Sequence, residues 1–282
     1  MLAYRPSDPG TSTSWQLECA TRGELVVLQH GQELHREPLE LGLTVDLRLL
    51  EREPAGEQGV YELQLDRIAM TGSGNGALEV ETSLAGLRKA DRFLPAGESG
   101  LGPMLQAAFA APVERLRFPA AGELAVREER GGGAHRQLSD LDLASLLLLL
   151  QPCFPAGGRV APGARWRARR RLPLNFETPQ PVELELEYEL RAVEGDQATL
   201  GVAGRVELRD LAAVDVRGGG LAVHRLVYEC AGALRFDAGR GRPGGGALEL
   251  VIEQESAPEG MPPGGALVSR CTARYELARR AE

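Results

Sequence analysis

The stretch RWRARRRLPLNFETPQPVELELEYEL, residues 165–190, decides the fold class. From Val182 to Leu190 apolar and acidic residues alternate without a break. Val182, Leu184, Leu186, Tyr188 and Leu190 fall on one side, and Glu183, Glu185, Glu187 and Glu189 on the other. A period of two marks a strand with one face buried and the other in water. From Arg165 to Leu172 the same period recurs in positive charge. Arg165, Arg167, Arg169 and Arg171 point one way and Trp166, Ala168 and Leu172 the other, with Arg170 as the exception. A hairpin centred near Glu177 sets the four outward arginines opposite the four glutamates, and Trp166 opposite Tyr188 on the other face. The arginine run is thus one side of a cross-strand charge ladder, not a phosphate-binding patch. Its main effect is on register, because a slip of one residue would bury charges.

Immediately upstream lies SDLDLASLLLLLQPCFPAGGRVAPGARW, residues 139–166. Ser139 suits an N-cap, with Asp142 in the reciprocal capping position and Asp140 near the positive end of the helix dipole. Leu146–Leu150 leave no polar face, so the expected helix, residues 139–151, must be buried on nearly every side. Pro152 and Pro155 end it. Packed into a concave sheet it is a plug; on the surface it would be an apolar contact patch.

The rest of the chain reads mostly as alternating strand. Trp15, Leu17 and Cys19 share a face, Arg22-Gly23 reads as a turn, and Glu24–Gln29 as a second strand. Leu41–Leu49 and Val60–Met70 form a half-buried hairpin. GSGNGA (72–77) resembles a nucleotide loop, but alternating residues follow it where a phosphate loop needs a helix, so it reads as a hairpin turn. Residues 83–100 look irregular, and Pro103–Ala110 fits a two-turn helix with Met104, Leu105, Ala108 and Phe109 on one face. Short strands follow at Val113–Phe118 and Glu123–Glu128. Beyond residue 190, strands are expected at Ala198–Arg209, Leu221–Phe236, Ala247–Glu255 and Ala266–Ala278, separated by Gly-rich turns.

Composition agrees. Aromatic residues are 5% of the 282, while Gly (35) and Pro (18) are abundant enough for many turns. A net charge of −8 argues against a nucleic-acid partner. No apolar run approaches the roughly 20 residues of a transmembrane helix. The N-terminus has no secretory-signal pattern, so the chain as written is expected in the cytoplasm, or in the cell envelope or periplasm if a signal peptide was removed.

Cys19, Cys153, Cys230 and Cys271 show neither CxxC spacing nor a histidine at metal-ligand distance, so no metal or cofactor is expected. They read as buried thiols, or, for Cys230 and Cys271, as a disulfide in an oxidising compartment. His30 and His35 flank a hairpin-like GQEL and are expected in water. No HExxH, GxSxG or P-loop pattern stands in a plausible context, and no catalytic residue is assigned.

The two halves echo each other. Pro9-Gly10 before Trp15 parallels Pro162-Gly163 before Trp166, and EPLELGLTVDLRLL parallels QPVELELEYEL. The expectation is a mainly β protein with minor α. It would hold two similar curved antiparallel sheets from an internal duplication, with a buried apolar helix between them. Residues 1–133 would form the N-terminal half and 134–282 the C-terminal half. Phe118–Leu124, Leu141–Leu150, Phe154-Pro155, Pro162-Gly163, Trp166 and Phe236–Gly239 together resemble an uncharacterised bacterial family of β-rich proteins, many of them secreted or lipoproteins. The resemblance implies an envelope location but no reaction; the sequence as written shows no signal-peptide pattern or lipidation cysteine near its start, a departure from the family that weighs against that expectation.

The functional expectation is a non-enzymatic binding protein. Its apolar cleft, lined by Trp15, Phe109, Leu146, Leu150 and Trp166, would take a lipid-like ligand or a protein partner. An assembly component pairing through sheet edges or the leucine helix is the alternative, and an enzyme with dispersed residues is third.

Overall fold

In the computed structural model the 165–190 hairpin has the register its charges dictate. Arg171, Arg169, Arg167 and Arg165 lie opposite Glu183, Glu185, Glu187 and Glu189, and Trp166 lies opposite Tyr188. The Trp166 and Tyr188 rings stack with centroids 5.7 Å apart and planes 10° from parallel. On the other face Arg167 pairs with Glu185 at 3.1 Å and Arg165 with Glu189 at 3.3 Å. These side chains are largely exposed, so each pair contributes only about 0–1 kcal/mol. Arg167→Ala is accordingly expected to lower the unfolding free energy obtained from urea titration by no more than that amount, with the cooperativity of the transition unchanged.

The structure describes residues 2–3, 9–55, 58–73, 78–98, 100–118, 126–129, 147, 149–155, 159–171, 183–216 and 219–280. The strands are β1 (Ser12–Gln29), β2 (Gln32–Ala55), β3 (Gln58–Ser73), β4 (Leu78–Ser83), β5 (Gly86–Lys89), β6 (Arg92–Pro95), β7 (Glu114–Phe118), β8 (Val126–Glu129), β9 (Arg165–Arg171), β10 (Glu183–Glu194), β11 (Gln197–Val216), β12 (Gly219–Asp237), β13 (Arg242–Pro258) and β14 (Gly265–Arg279). Helix α1 spans Gly102–Phe109 and buries Leu105, Ala108 and Phe109. Pro103 in its first turn is tolerated because the N–H it lacks has no intrahelical partner there.

The two expected sheets are one. The strand order is β6-β5-β4-β3-β2-β1-β14-β13-β12-β11-β10-β9, with β7 and β8 attached to β3 off this path. Neighbouring strands pair antiparallel throughout the described sheet, and the halves join where β1 pairs with β14 over Trp15–Gln29. The sheet is therefore two meanders continued through that pairing, with β6 and β9 at its open ends. It also curls. Tyr61 on β3 and Gln197 on β11 are six strands apart, about 29 Å on a flat sheet, yet both line one cavity.

The curled inner face holds the main core. Trp15, Leu17, Val45, Leu47, Leu65, Leu105, Phe109, Leu149, Leu184, Leu186, Tyr188, Tyr228 and Leu250 belong to one buried cluster, drawn from both sides of the 133/134 boundary. The outer face is a lattice of ion pairs, such as Glu207–Arg225–Glu253 and Glu24–Arg36–Glu33. Of the helix expected at 139–151, only Leu147 and Leu149–Gln151 are among the described residues, and all of these are buried. The rest of that segment lies outside them.

Two local expectations change. Arg22-Gly23 is not a turn, because β1 runs unbroken through it. Gly23 faces Cys271, and a Cβ there would lie 2.1 Å from the Arg270 carbonyl oxygen. Glycine permits close strand approach at this point. Residues 83–100 are not wholly irregular, since β5 and β6 form a small hairpin there. The true β1–β2 turn is His30-Gly31, both with positive φ. Both histidines of that neighbourhood, His30 and His35, are exposed as expected.

The two Pro-Gly corners are built alike. Gly10 N–H donates to the Glu51 carbonyl at 3.0 Å, and Glu51 N–H to the Thr11 carbonyl at 2.9 Å. Correspondingly, Gly163 N–H donates to Leu190 and Leu190 N–H to Ala164, at 2.7 and 3.0 Å. Both glycines have φ above +80°, which their lack of a Cβ makes cheap.

Candidate binding face

Four of the five residues expected to line a cleft lie in or against one core. Trp15, Phe109 and Leu150 are 4%, 3% and 1% exposed and belong to the main cluster. Trp166, partly buried, packs against it. Leu146 lies outside the described residues. Phe109, Leu150 and Trp166 pack among protein side chains, while Trp15 also borders a small cavity at the sheet end.

The exit of the leucine segment is tied to the inward side of β9. Trp166 Nε1–H donates to the Cys153 carbonyl at 2.6 Å, and an Arg170 terminal nitrogen donates to the Gln151 carbonyl at 3.0 Å. Arg170, the one charge that breaks the β9 alternation, thus turns inward to meet backbone acceptors where the segment ends. Phe154 packs with Phe236, ring centroids 4.6 Å apart, in a second cluster that includes Leu2, Leu190 and Leu200.

Away from Trp15, the inward face runs past the sealed core towards the β1–β2 and β13–β14 turns. Strand register puts Leu41 in line with Thr21 and Ala273, and Leu39 with Gly23, Cys271 and Ile252. Next come Leu25, then Val27 and Leu267. Leu41 is 45% exposed, and Leu25, Leu39, Ile252 and Leu267 are half-buried. The core's apolar face therefore continues into an open strip. Opposite it, on the charged face, small residues (Ala20, Gly42 and Ala69) leave a depression of about 470 Å³ rimmed by Glu18, Arg274 and Glu276.

Among the described residues no group of three or more His, Cys, Asp or Glu is placed to hold a metal ion. All four cysteines are free, and burial pushes the Cys230 thiol up to about 12, far from a thiolate at neutral pH. The Cys230–Cys271 disulfide reading falls on geometry. β13 lies between their strands, and two strand spacings of about 4.8 Å exceed the roughly 7 Å limit between bridged Cα atoms. Tyr188, Tyr228 and Tyr275 are likewise raised by burial. No described helix is long and apolar enough to cross a membrane.

No protein-family model and no curated protein matches the chain. Among solved structures, one of lipovitellin concerned with lipid–protein interactions aligns over 97% of this chain at 10% identity and a TM-score of 0.48. The chain spans 25% of that protein's length. An outer membrane channel from Pseudomonas putida F1 aligns over 98% of both chains at 7% identity and a TM-score of 0.24.

What defines the protein at this level is a mainly β chain whose large, open antiparallel sheet is apolar within and charged without.

Proposed function

We propose that this is a non-enzymatic binding protein whose inward sheet face receives an apolar, lipid-like ligand. The observation that carries the reading is the strip from Leu41 to Leu267. Apolar side chains in phase with the core, interspersed with Thr21, Glu37, His35 and Ser269 in the same rows, keep partial access to solvent where the core filling stops, and exposed apolar surface beside a core can serve binding. The outer face suits such a ligand less, because it is charged, with pairs such as Glu207–Arg225–Glu253 running along and across strands. The described leucines of the 139–151 segment are about as buried as any residue in the chain, which disfavours a partner docking on them. We read the sheet as a duplicated meander, on the strength of the matched Pro-Gly corners.

The test uses diphenylhexatriene, an uncharged apolar fluorophore. Saturable enhancement of its fluorescence is expected with the wild-type protein and at least a tenfold loss of affinity in Leu41→Glu, where a carboxylate would enter the strip. Leu41 is exposed enough for the variant to fold, and circular dichroism checks that it does. No saturable enhancement, or equal binding by Leu41→Glu, rejects the assignment.

A further inference from the structure

Beyond the far end of the sheet from that strip, the β12–β13 turn folds over the ends of β1, β2 and β14 and leaves a cavity of about 190 Å³. Three arginines line it, from separate places in the chain: Arg240 in the turn, Arg242 at the start of β13, and Arg279 at the end of β14. Two acidic residues, Glu51 and Asp237, complete the charge, so the walls carry a net +1. Arg240 pairs with Asp237 at 3.6 Å, and the two terminal nitrogens of Arg242 grip Glu51 at 3.0 Å each. Arg279 makes no ion pair among the described residues, and register with Trp15 puts it on the inward face.

Two residues that line the cavity carry a buried N–H donor with no acceptor among the described residues. Trp15 Nε1 and Arg242 Nε are both buried and unpaired, although Trp15 is only 4% exposed. A buried donor without a partner costs about 1–3 kcal/mol, and chains rarely retain one without a use. The matching place in the other half shows the contrast. Leu190 occupies the position in its corner that Glu51 occupies here, and it sits in a closed apolar cluster.

We infer that this cavity binds a compact organic monocarboxylate. A single surplus positive charge calls for a monoanion. The guanidinium of Arg279, without an ion pair among the described residues, offers the fork that matches a carboxylate, and the Trp15 indole lies in the same wall, close enough to report on what enters. The aromatic and aliphatic surfaces of Trp15 and Leu49 suit a small organic body better than a fully hydrated inorganic ion. The volume, roughly six water molecules' worth, limits that body to about one ring. The site is independent of the apolar strip.

The experiment follows the indole ¹⁵N–¹H resonances of the full chain during titration with sodium benzoate, with neutral benzamide and inorganic phosphate in parallel. Trp166→Phe leaves Trp15 as the sole indole and assigns its signal. Benzoate is expected to move the Trp15 N–H resonance downfield and saturably, benzamide to leave it unmoved, and Arg279→Gln to weaken the benzoate response about tenfold. Arg279 is exposed at a strand end, so that variant keeps the fold. No saturable shift with benzoate overturns the inference. So does a shift that benzamide reproduces or that Arg279→Gln leaves intact, either of which means an apolar crevice. A response to phosphate alone overturns the carboxylate assignment in favour of an inorganic anion.

Discussion

Phe109→Ala is expected to lower the free energy of unfolding by about 3–5 kcal/mol. The side chain is 3% exposed at the C-terminal end of α1, in one cluster with Leu63, Leu65 and Leu105. Its carbonyl oxygen accepts a hydrogen bond from Gln64 Nε2 on β3 at 3.3 Å. Removing the ring takes away both the transfer free energy and the contacts of the neighbours left around a void. Phe93→Ala is the control: that ring, in the β5–β6 hairpin, is 47% exposed, and its loss is expected to change stability by only about 0.5 kcal/mol. Urea titrations followed by circular dichroism and by tryptophan fluorescence check both, and coincident transitions license the comparison. A loss below about 1 kcal/mol for Phe109→Ala would mean that the cluster closes over the gap.

What the sequence made legible follows from what strand periodicity encodes. The β9–β10 hairpin was readable because like charges repeated on each strand forbid a one-residue slip, which would bury them, and because full pairing of the four arginines with the four glutamates sets Trp166 opposite Tyr188. The α1 face was readable because Met104, Leu105, Ala108 and Phe109 recur at helical spacing after a proline. Pairing of β1 with β14 was not. Both strands alternate well, but alternation says which face is buried and not which strand lies alongside, and that choice closes a loop of nearly the whole chain. The β5–β6 hairpin was missed because Arg88, Lys89, Arg92 and Phe93 are all exposed and carry no core pattern. Gly23 misled because a glycine that lets two strands approach is spelled like a glycine that turns. Of the cavity, Trp15 alone was singled out. A usable signal was present all the same: Glu51 continues the inward phase of Leu43, Val45, Leu47 and Leu49, and Arg279 that of Tyr275 and Leu277. Charges at core-phase positions, like Arg170 on β9, mark places where the interior is not simply apolar.

Glu51 yields the second large effect. Arg242→Ala is expected to destabilise the protein by about 3 kcal/mol, the lower part of the range for a broken buried pair, because Arg242 itself keeps some contact with water. Its partner keeps almost none: Glu51 is 3% exposed, accepts from Thr11 Oγ1 and, among the described residues, has its ion pair with Arg242. Truncating the arginine leaves a carboxylate out of water with one hydroxyl for company. The loss therefore measures a stranded charge and not the worth of the pair. The combined substitution Glu51→Leu with Arg242→Met separates the two, since replacing a buried pair by apolar side chains of similar volume is often neutral or stabilising. Leucine at 51 would also copy the arrangement at Leu190 in the other half. The double variant is expected to recover at least about 2 kcal/mol of the single variant's loss, measured by urea unfolding at neutral pH. It should also respond more weakly to benzoate than the wild type, because the buried guanidinium donor is gone. Stability regained together with ligand response lost would place the cost of the charged pair on the side of binding, whereas a double variant as unstable as Arg242→Ala would make the pair a structural clamp between β2 and β13.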